Sequence, residues 1–435
     1  MKLNYKNTIL VGLGFLTISA FWQLYDFIIP LILQNTFEID HTTSGFIMSL
    51  DNILALFMLP LFGKLSDKTY TKIGRRTPFV IIGTLAAVIF MMGIPYATHT
   101  RQLVVFMAAL GLVLFSMAVY RSPAVALMPD ITPKPLRSLG NAVINLMGSI
   151  GGAAILLINS FLAPDTTQPE TANYWPIFVT TAGIMLVGTV VLIATVREPK
   201  LVKKMRKDSA AMGIDPEEAK EVDKPVIKKV KLAPDVRKSM GLILASIALW
   251  FMGYNAVTTS FSKYSVNALG MQESQASLIL MVAVVAATLS FIPVAHISMK
   301  IGRRKSIMIG VVLLAAVFGT ASIYTAYSPL MYVSFALAGV AWAAINVNSL
   351  PMVLEMSKGA NVGQYTGYYY IFSMAAQVVT PVLSGLLLDN VGFSTLLPYG
   401  AIFVALSFFT MMFVRHGDSK PIAPASKLES FDTPD

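Results

Sequence analysis

The chain contains no cysteine. Disulfides, thiol nucleophiles and thiolate metal sites are therefore excluded. Histidine is almost as scarce, at four, and no two histidines have ligand spacing, so no metal and no cofactor is expected. Charge is the third shortage. Only 13% of the 435 residues are charged, against about 25% in a soluble domain. A cytosolic globular enzyme does not have this composition. A secretory signal peptide is not expected either, because the first apolar run is too long and no small-residue cleavage site precedes a soluble domain.

What replaces charge is apolar length, with 55% of residues hydrophobic. A hydrocarbon core of ~30 Å needs roughly 20 apolar residues per helix. Twelve runs qualify, at about 8–34, 43–63, 78–97, 101–128, 139–162, 175–196, 239–262, 274–299, 305–325, 329–356, 363–388 and 394–414. Runs of this length are helices rather than the short alternating strands of a membrane barrel. The expected fold class is an all-α membrane protein with twelve transmembrane helices.

The net charge of +10 invites a nucleic-acid reading, but its distribution argues against one. With both termini inside, 30 of the 33 Lys and Arg fall in inner loops and tails, Arg101 and Lys263 fall in outer loops, and Arg121 lies within a span. That is the positive-inside bias, and it predicts a multi-pass protein of the cytoplasmic membrane with both ends cytoplasmic. Most basic loop residues are then topology determinants in contact with lipid and water.

The polar segment 197–238 divides the runs into six and six. The expected organisation is an N-terminal bundle over 1–196, a cytoplasmic linker over 197–238 with a short surface helix near Pro216–Lys224, a C-terminal bundle over 239–414, and a cytoplasmic tail over 415–435. The halves repeat. Gly63-Lys-Leu-Ser-Asp67 … Gly74-Arg75-Arg76 joins runs two and three, and Gly302-Arg303-Arg304 joins runs eight and nine. Polar residues also follow a period of three. Spans 3, 6, 9 and 12 carry no Asn, Gln, His or charged residue in their interiors, so they can face lipid all round, while the other eight must hide or hydrate polar groups.

This pattern resembles the major facilitator superfamily over almost the whole chain. The resemblance implies two pseudo-symmetric six-helix bundles, with spans 1, 4, 7 and 10 lining a central cavity. Gly63, Asp67, Gly74, Arg75 and Arg76 are similar to the family's loop 2–3 signature, which implies a gating role. The loop is longer than usual, and Gly74-Arg-Arg-x-Pro78 with Pro123–Thr132, Arg137 and Asn141-Ala142 is similar to the sucrose–proton symporters and the glycoside–pentoside–hexuronide cation symporters. The match departs in places. Ala55, Leu59 and Arg121 stand where melibiose-permease-like proteins hold sodium-binding acids, Val125 stands where plant sucrose carriers have Arg, and Met299 replaces an acid in the second-half loop.

Within the spans, Asp26 and Asp51 are candidate proton carriers, because a buried carboxylate without a partner either holds a proton or takes a counter-charge. Arg121 is the only cation deep in a span and needs a partner, which is Asp26, Asp51, Glu355 or a substrate hydroxyl. Substrate that competes for Arg121 would couple sugar to proton binding. Sugar recognition asks for aromatic faces and planar polar groups. Trp22, Gln23 and Asp26 share a helical face, with Asn52 and Asn145 on neighbouring spans. Tyr254 and Asn255, Trp342 and Asn346, and Tyr369 and Gln377 supply the same chemistry in the second half. The bland alternatives are interhelical clamps, packing and interface anchoring.

The expected function is a proton-coupled sugar (disaccharide or glycoside) symporter working by alternating access, acting as a monomer. The rivals are an efflux carrier for an apolar or cationic compound on the same fold and a non-transporting nutrient sensor. A membrane enzyme is disfavoured, because no loop clusters catalytic acids, histidines or a metal motif.

Overall fold

The computed structural model describes residues 3–133, 136–164, 172–211, 233–356 and 362–418. The surface helix expected near Pro216–Lys224 and most of the tail lie outside these residues. Among the described residues twelve helices are long and apolar enough to cross a membrane: Tyr5–Asn35, His41–Asp67, Thr77–His99, Leu103–Ile131, Leu139–Leu162, Trp175–Thr195, Pro234–Asn267, Glu273–Ile301, Arg303–Ala321, Leu330–Glu355, Tyr365–Asn390 and Phe393–Met412. In chain order they are spans 1–12. No strand occurs among the described residues. The fold is the all-α membrane architecture that hydropathy predicts.

The helices pack into two compact units. One holds span 1, span 2 from Leu50, spans 3–6 and Gln272–Met281 at the start of span 8. The other holds Ile39–Ser49, span 7, span 8 from Val282, and spans 9–12. Within the first unit, span 1 packs on spans 5 and 6, and span 3 packs on spans 4 and 6. Within the second, span 7 packs on spans 11 and 12, and span 9 packs on spans 10 and 12. The pairings correspond one for one, as a duplicated chain requires.

Small residues make these pairings close, which is how helices associate where lipid removes the hydrophobic drive. A Cβ on Gly151 of span 5 would meet the Leu16 carbonyl of span 1, and one on Gly148 would meet Ser19. Gly83 of span 3 lies against the Tyr120 backbone, Gly310 of span 9 against Ala341, and Gly253 of span 7 against the Gly400 carbonyl. The purely apolar spans therefore do not face lipid all round. Each has one packed face, such as Val80, Ala87 and Met91 on span 3, and one exposed face, such as Ile82, Leu85 and Ile89. Absence of polar residues permits lipid contact on every side, but the small residues select the side that packs.

Two boundaries shift with consequence. Span 7 runs on to Asn267 and takes in Lys263, which the sequence reading placed in a loop; it is 3% exposed. The segment after span 6 opens with a helix, Glu198–Ala211, packed on span 4.

Candidate functional site

In the first unit, span 1 carries Trp22, Gln23, Tyr25 and Asp26 at a helical spacing that keeps them together. Span 1 is held by a buried tie: the Tyr120 hydroxyl of span 4 donates to the Gly14 carbonyl at 3.0 Å and hydrogen-bonds Thr17. Tyr120 is fully buried, so the next residue, Arg121, starts from a fixed point. The Arg121 guanidinium lies over the Trp22 ring, 5.7 Å from its centroid. That is cation–π distance, and the geometry stabilises a guanidinium away from bulk water. Trp22 in turn meets Tyr25 edge to face at 5.4 Å.

Trp22, Asp51 and Arg121 line one small cleft, with Leu54, Ala55 and Ala118 as its apolar wall. The charges of Asp26, Asp51 and Arg121 are near enough to act on one another. Among the described residues Arg121 forms no ion pair, so Trp22 is its close neighbour rather than a carboxylate. Asn52 donates to Asp51 Oδ1 at 2.8 Å. The Tyr25 hydroxyl and Trp22 Nε1 are buried with no hydrogen-bond partner among the described residues. Gln23 lies beside Gly152 of span 5, and Asn145 is 8% exposed on the same span. Thus Trp22, Asp26, Asp51, Asn52 and Arg121 come together, with Gln23 and Asn145 along the span 1–span 5 seam.

In the second unit, Tyr254 and Trp342 stack with ring centroids 3.7 Å apart and planes within 6°. Phe251 meets Trp342 edge on at 5.3 Å and reaches Tyr369 at 6.4 Å. Tyr369 is buried, and its hydroxyl hydrogen-bonds Ser349 of span 10 at 3.1 Å. Asn255 donates to its own helix at Phe251 O, 2.8 Å, and Gln377 to Ser373 O, 3.4 Å. Asn346 Oδ1 is buried without a partner among the described residues. Trp250 is completely buried and belongs to the packing. Glu355, one of the partners considered for Arg121, pairs with Arg303.

The Gly63–Arg76 loop closes on itself and on two acids. Arg76, 5% exposed, pairs with Asp67 and with Asp130 (2.9 Å), and donates to Ser66 Oγ at 2.5 Å and to the Gly63 carbonyl at 3.3 Å. Arg75 pairs with Asp130 at 2.5 Å. Partial burial opposes the Arg75 charge, but the Asp130 carboxylate outweighs it, and the guanidinium pKa moves up. Glu198 accepts from the backbone N–H of Arg75 (2.8 Å), Arg76 (3.1 Å) and Thr77 (2.9 Å), and from the Thr77 hydroxyl (2.7 Å). A carboxylate in this position satisfies the orphan donors of a helix start and meets its dipole. Gly74 has φ +126°, and a Cβ there would collide with the Glu198 carboxylate.

Sequence reasoning missed three features. Glu198 was hidden among the basic residues that follow span 6. Glu273, fully buried at the start of span 8, accepts from Asn159 Nδ2 (3.1 Å) and the Tyr174 hydroxyl (3.5 Å). Burial, and then the Glu273 charge, pushes the Tyr174 pKa well up. Lys263 is buried with the charges of Asp389 and Asp40 nearby, while Asp389 accepts the His41 and Thr42 backbone N–H groups at 2.8 Å each. A single acid beside an apolar run was the available signal for Glu273.

Comparison with known proteins agrees with the architecture. A solved inward-open xylose transporter, XylE from E. coli, superposes with a TM-score of 0.66 at 15% identity, covering 96% of each chain. The nucleoside transporter NupG gives 0.66 at 15% identity over 93% of this chain and 98% of that one. These likenesses are of fold. In sequence, the Sucrose transport protein SUC3 of Arabidopsis thaliana is 33% identical over 135 residues, which is 27% of this chain and 23% of that protein. The profile of the Major Facilitator Superfamily matches residues 11–272 and again 263–433. With two matches that together run nearly end to end, on a repeated six-span packing scheme, this chain belongs to the Major Facilitator Superfamily.

Proposed function

We propose that the protein is a proton-coupled sugar symporter for a disaccharide or other glycoside, working by alternating access. The observation that carries this reading is Arg121 held over Trp22 beside Asp26 and Asp51. An aromatic face and a guanidinium fork are the chemistry of a sugar ring with paired hydroxyls. Two carboxylates within reach of that cation give protons a place to bind where sugar binding is felt. The Tyr254–Trp342 stack offers a second aromatic surface. The partial likeness to a sucrose transport protein supports the choice of substrate class.

In this reading Trp22, Gln23, Asn52, Asn145, Tyr254, Asn255, Trp342, Asn346, Tyr369 and Gln377 serve sugar. Asp26, Asp51 and Arg121 serve the proton. The Gly63–Arg76 loop is the gate, both termini are cytoplasmic, and one chain is the working unit.

The test is counterflow in proteoliposomes with a panel of mono- and disaccharides, nucleosides and dipeptides. Disaccharide counterflow is the expected result, and exchange of a nucleoside or peptide alone overturns the substrate class. Sugar-driven proton uptake is expected to be lost in Arg121→Ala. Uptake retained at the wild-type ratio would remove Arg121 from the coupling.

A further inference from the structure

The helix Glu198–Ala211 begins just past the end of span 6 at Thr195, so it lies at the level of the bilayer surface. Its sequence separates into two faces. At about 100° per residue, Lys200, Lys203, Lys204, Arg206 and Lys207 fall within an arc of about 160°. Leu201, Met205 and Ser209 fall on the other side. The structure fixes which side is which. Leu201 and Met205 line a cavity of about 280 Å³ with Leu3, Ile131 and Leu136, and Ser209 is buried. All five basic residues are exposed.

No carboxylate opposes this basic face from its own helix. Glu198 is spent on the span 3 start, and Asp208 turns to the cavity, where it forms no ion pair among the described residues. The cavity opens beside Lys204, with Asn4 and Asn7 on its far rim, and its volume is several times the ~30 Å³ of a water. Topology alone does not ask for this arrangement. The positive-inside bias is satisfied by basic residues anywhere in a loop, without periodicity and without a packed reverse face. The equivalent place after span 12 shows the contrast: Arg415, His416, Gly417 and Asp418 form no helix.

We propose that the basic face of Glu198–Ala211 is a docking surface for anionic phospholipid headgroups of the adjoining leaflet. An amphipathic polybasic helix next to a membrane span has the charge and placement to take them. Its reverse face is turned to the protein, where Leu201 and Met205 line the cavity and Ser209 is buried, and of the five cations Lys204 alone also borders that cavity. The proposal stands apart from the sugar reading, because its readout is lipid.

The experiment uses the purified full chain in neutral detergent. Retained lipid is counted by native mass spectrometry, and thermal unfolding is followed while phosphatidylglycerol, phosphatidylcholine or inorganic phosphate is added. The variant Lys200→Gln/Lys203→Gln/Arg206→Gln/Lys207→Gln is compared with a charge-matched control, Arg237→Gln/Lys238→Gln/Lys300→Gln/Lys305→Gln, whose sites are equally exposed. Phosphatidylglycerol is expected to raise the unfolding temperature of the wild type and the control. The helix variant is expected to bind it about a hundred- to a thousandfold more weakly, at about 1 kcal/mol or slightly less for each of the four charges removed. Added salt should weaken wild-type binding, as screening requires. Equal responses of the two variants, or an equal response to phosphatidylcholine, would overturn the proposal. A shift reproduced by inorganic phosphate alone would overturn it too, by showing a free-anion site.

Discussion

The two Gly-Arg-Arg corners are copies of one device built to different strengths. In both, a glycine with positive φ turns the chain into the next span: Gly74 at +126° and Gly302 at +92°. In both, an acid from the end of the fourth helix of the half pairs with the first arginine, Asp130 with Arg75 and Glu355 with Arg303. In both, an acid that follows the sixth helix of the half accepts backbone N–H at the turn. Glu198 is buried and takes three backbone donors and a hydroxyl, whereas Asp418 is exposed and takes the Arg304 N–H at 2.7 Å. The second arginines differ most. Arg76 meets Asp67 and Asp130, while Arg304 donates to the Met411 and Met412 carbonyls. The first corner is a partly buried network in which two arginines share Asp130, and the second is a single Arg303–Glu355 ion pair with hydrogen bonds around it. Duplication preserved the geometry of the turn, and the presence of Asp67 with the burial of Glu198 gave one copy more ion pairs and more backbone acceptors.

The largest break in this comparison should come from Arg76→Ala against Arg304→Ala. Removing Arg76 leaves Asp130 with Arg75 as its remaining partner and deprives Asp67, Ser66 and the Gly63 carbonyl of their donor, and a cost of about 2–3 kcal/mol is expected. Removing Arg304 leaves only carbonyls, with about 1 kcal/mol expected. Thermal unfolding of the two variants in the same detergent tests the ranking, and equal shifts would remove the distinction between the corners.

Next in size is the cap. Glu198→Ala frees four buried donors and should cost about 2–3 kcal/mol, while Asp418→Ala should cost under about 1 kcal/mol. Hydrogen exchange at Arg75, Arg76 and Thr77 should rise in the first variant and stay unchanged at that corner in the second.

Glycine replacement gives a smaller contrast. Gly302→Ala should cost about 1 kcal/mol, chiefly from positive φ, since the Asp418 carboxylate 3.0 Å from its Cβ is exposed and can move aside. Gly74→Ala should cost more, because its Cβ would also strike the Glu198 carboxylate. In the double variant Gly74→Ala/Glu198→Ala the excess should disappear, which a double-mutant cycle on unfolding temperature would detect.

The smallest effect on stability is expected at the two aromatic sites, where the proposed role is binding. Trp22→Phe keeps a ring under Arg121 but weakens the cation–π contact by about 0.5–1 kcal/mol. Trp342→Ala removes the partner of Tyr254. Both variants should fold, and sugar affinity measured by counterflow should fall several-fold in each. An unchanged affinity in Trp342→Ala would confine recognition to the first-unit cluster.

The sequence by itself determined the class of protein. Apolar length has a direct physical reading in a bilayer, because only a helix satisfies its backbone there. The repeat of Gly-Arg-Arg and the periodic absence of polar residues were equally local, and the family resemblance rested on contiguous residues such as Gly74–Pro78 and Pro123–Thr132. Intramembrane Asp26, Asp51 and Arg121 stood out for the same reason, as polar groups in runs that otherwise have none.

Only the tertiary structure decided the partners. Glu198 and Arg76 are more than a hundred residues apart, and nothing in the composition of 197–238 distinguishes the one acid that caps span 3 from its neighbours. Lys263 read as a loop residue because charge ends an apolar run, yet Asp389 and Asp40 supply counter-charge from distant segments and the helix continues through it. Glu273 was passed over at a helix start because its hydrogen-bond donors, Asn159 and Tyr174, come from other parts of the chain. Which face of spans 3, 6, 9 and 12 is packed was likewise undetermined, since close approach depends on the pairing of one small residue with a particular backbone across the interface. Hydropathy is a property of each segment alone, whereas burial, capping and charge pairing are properties of two.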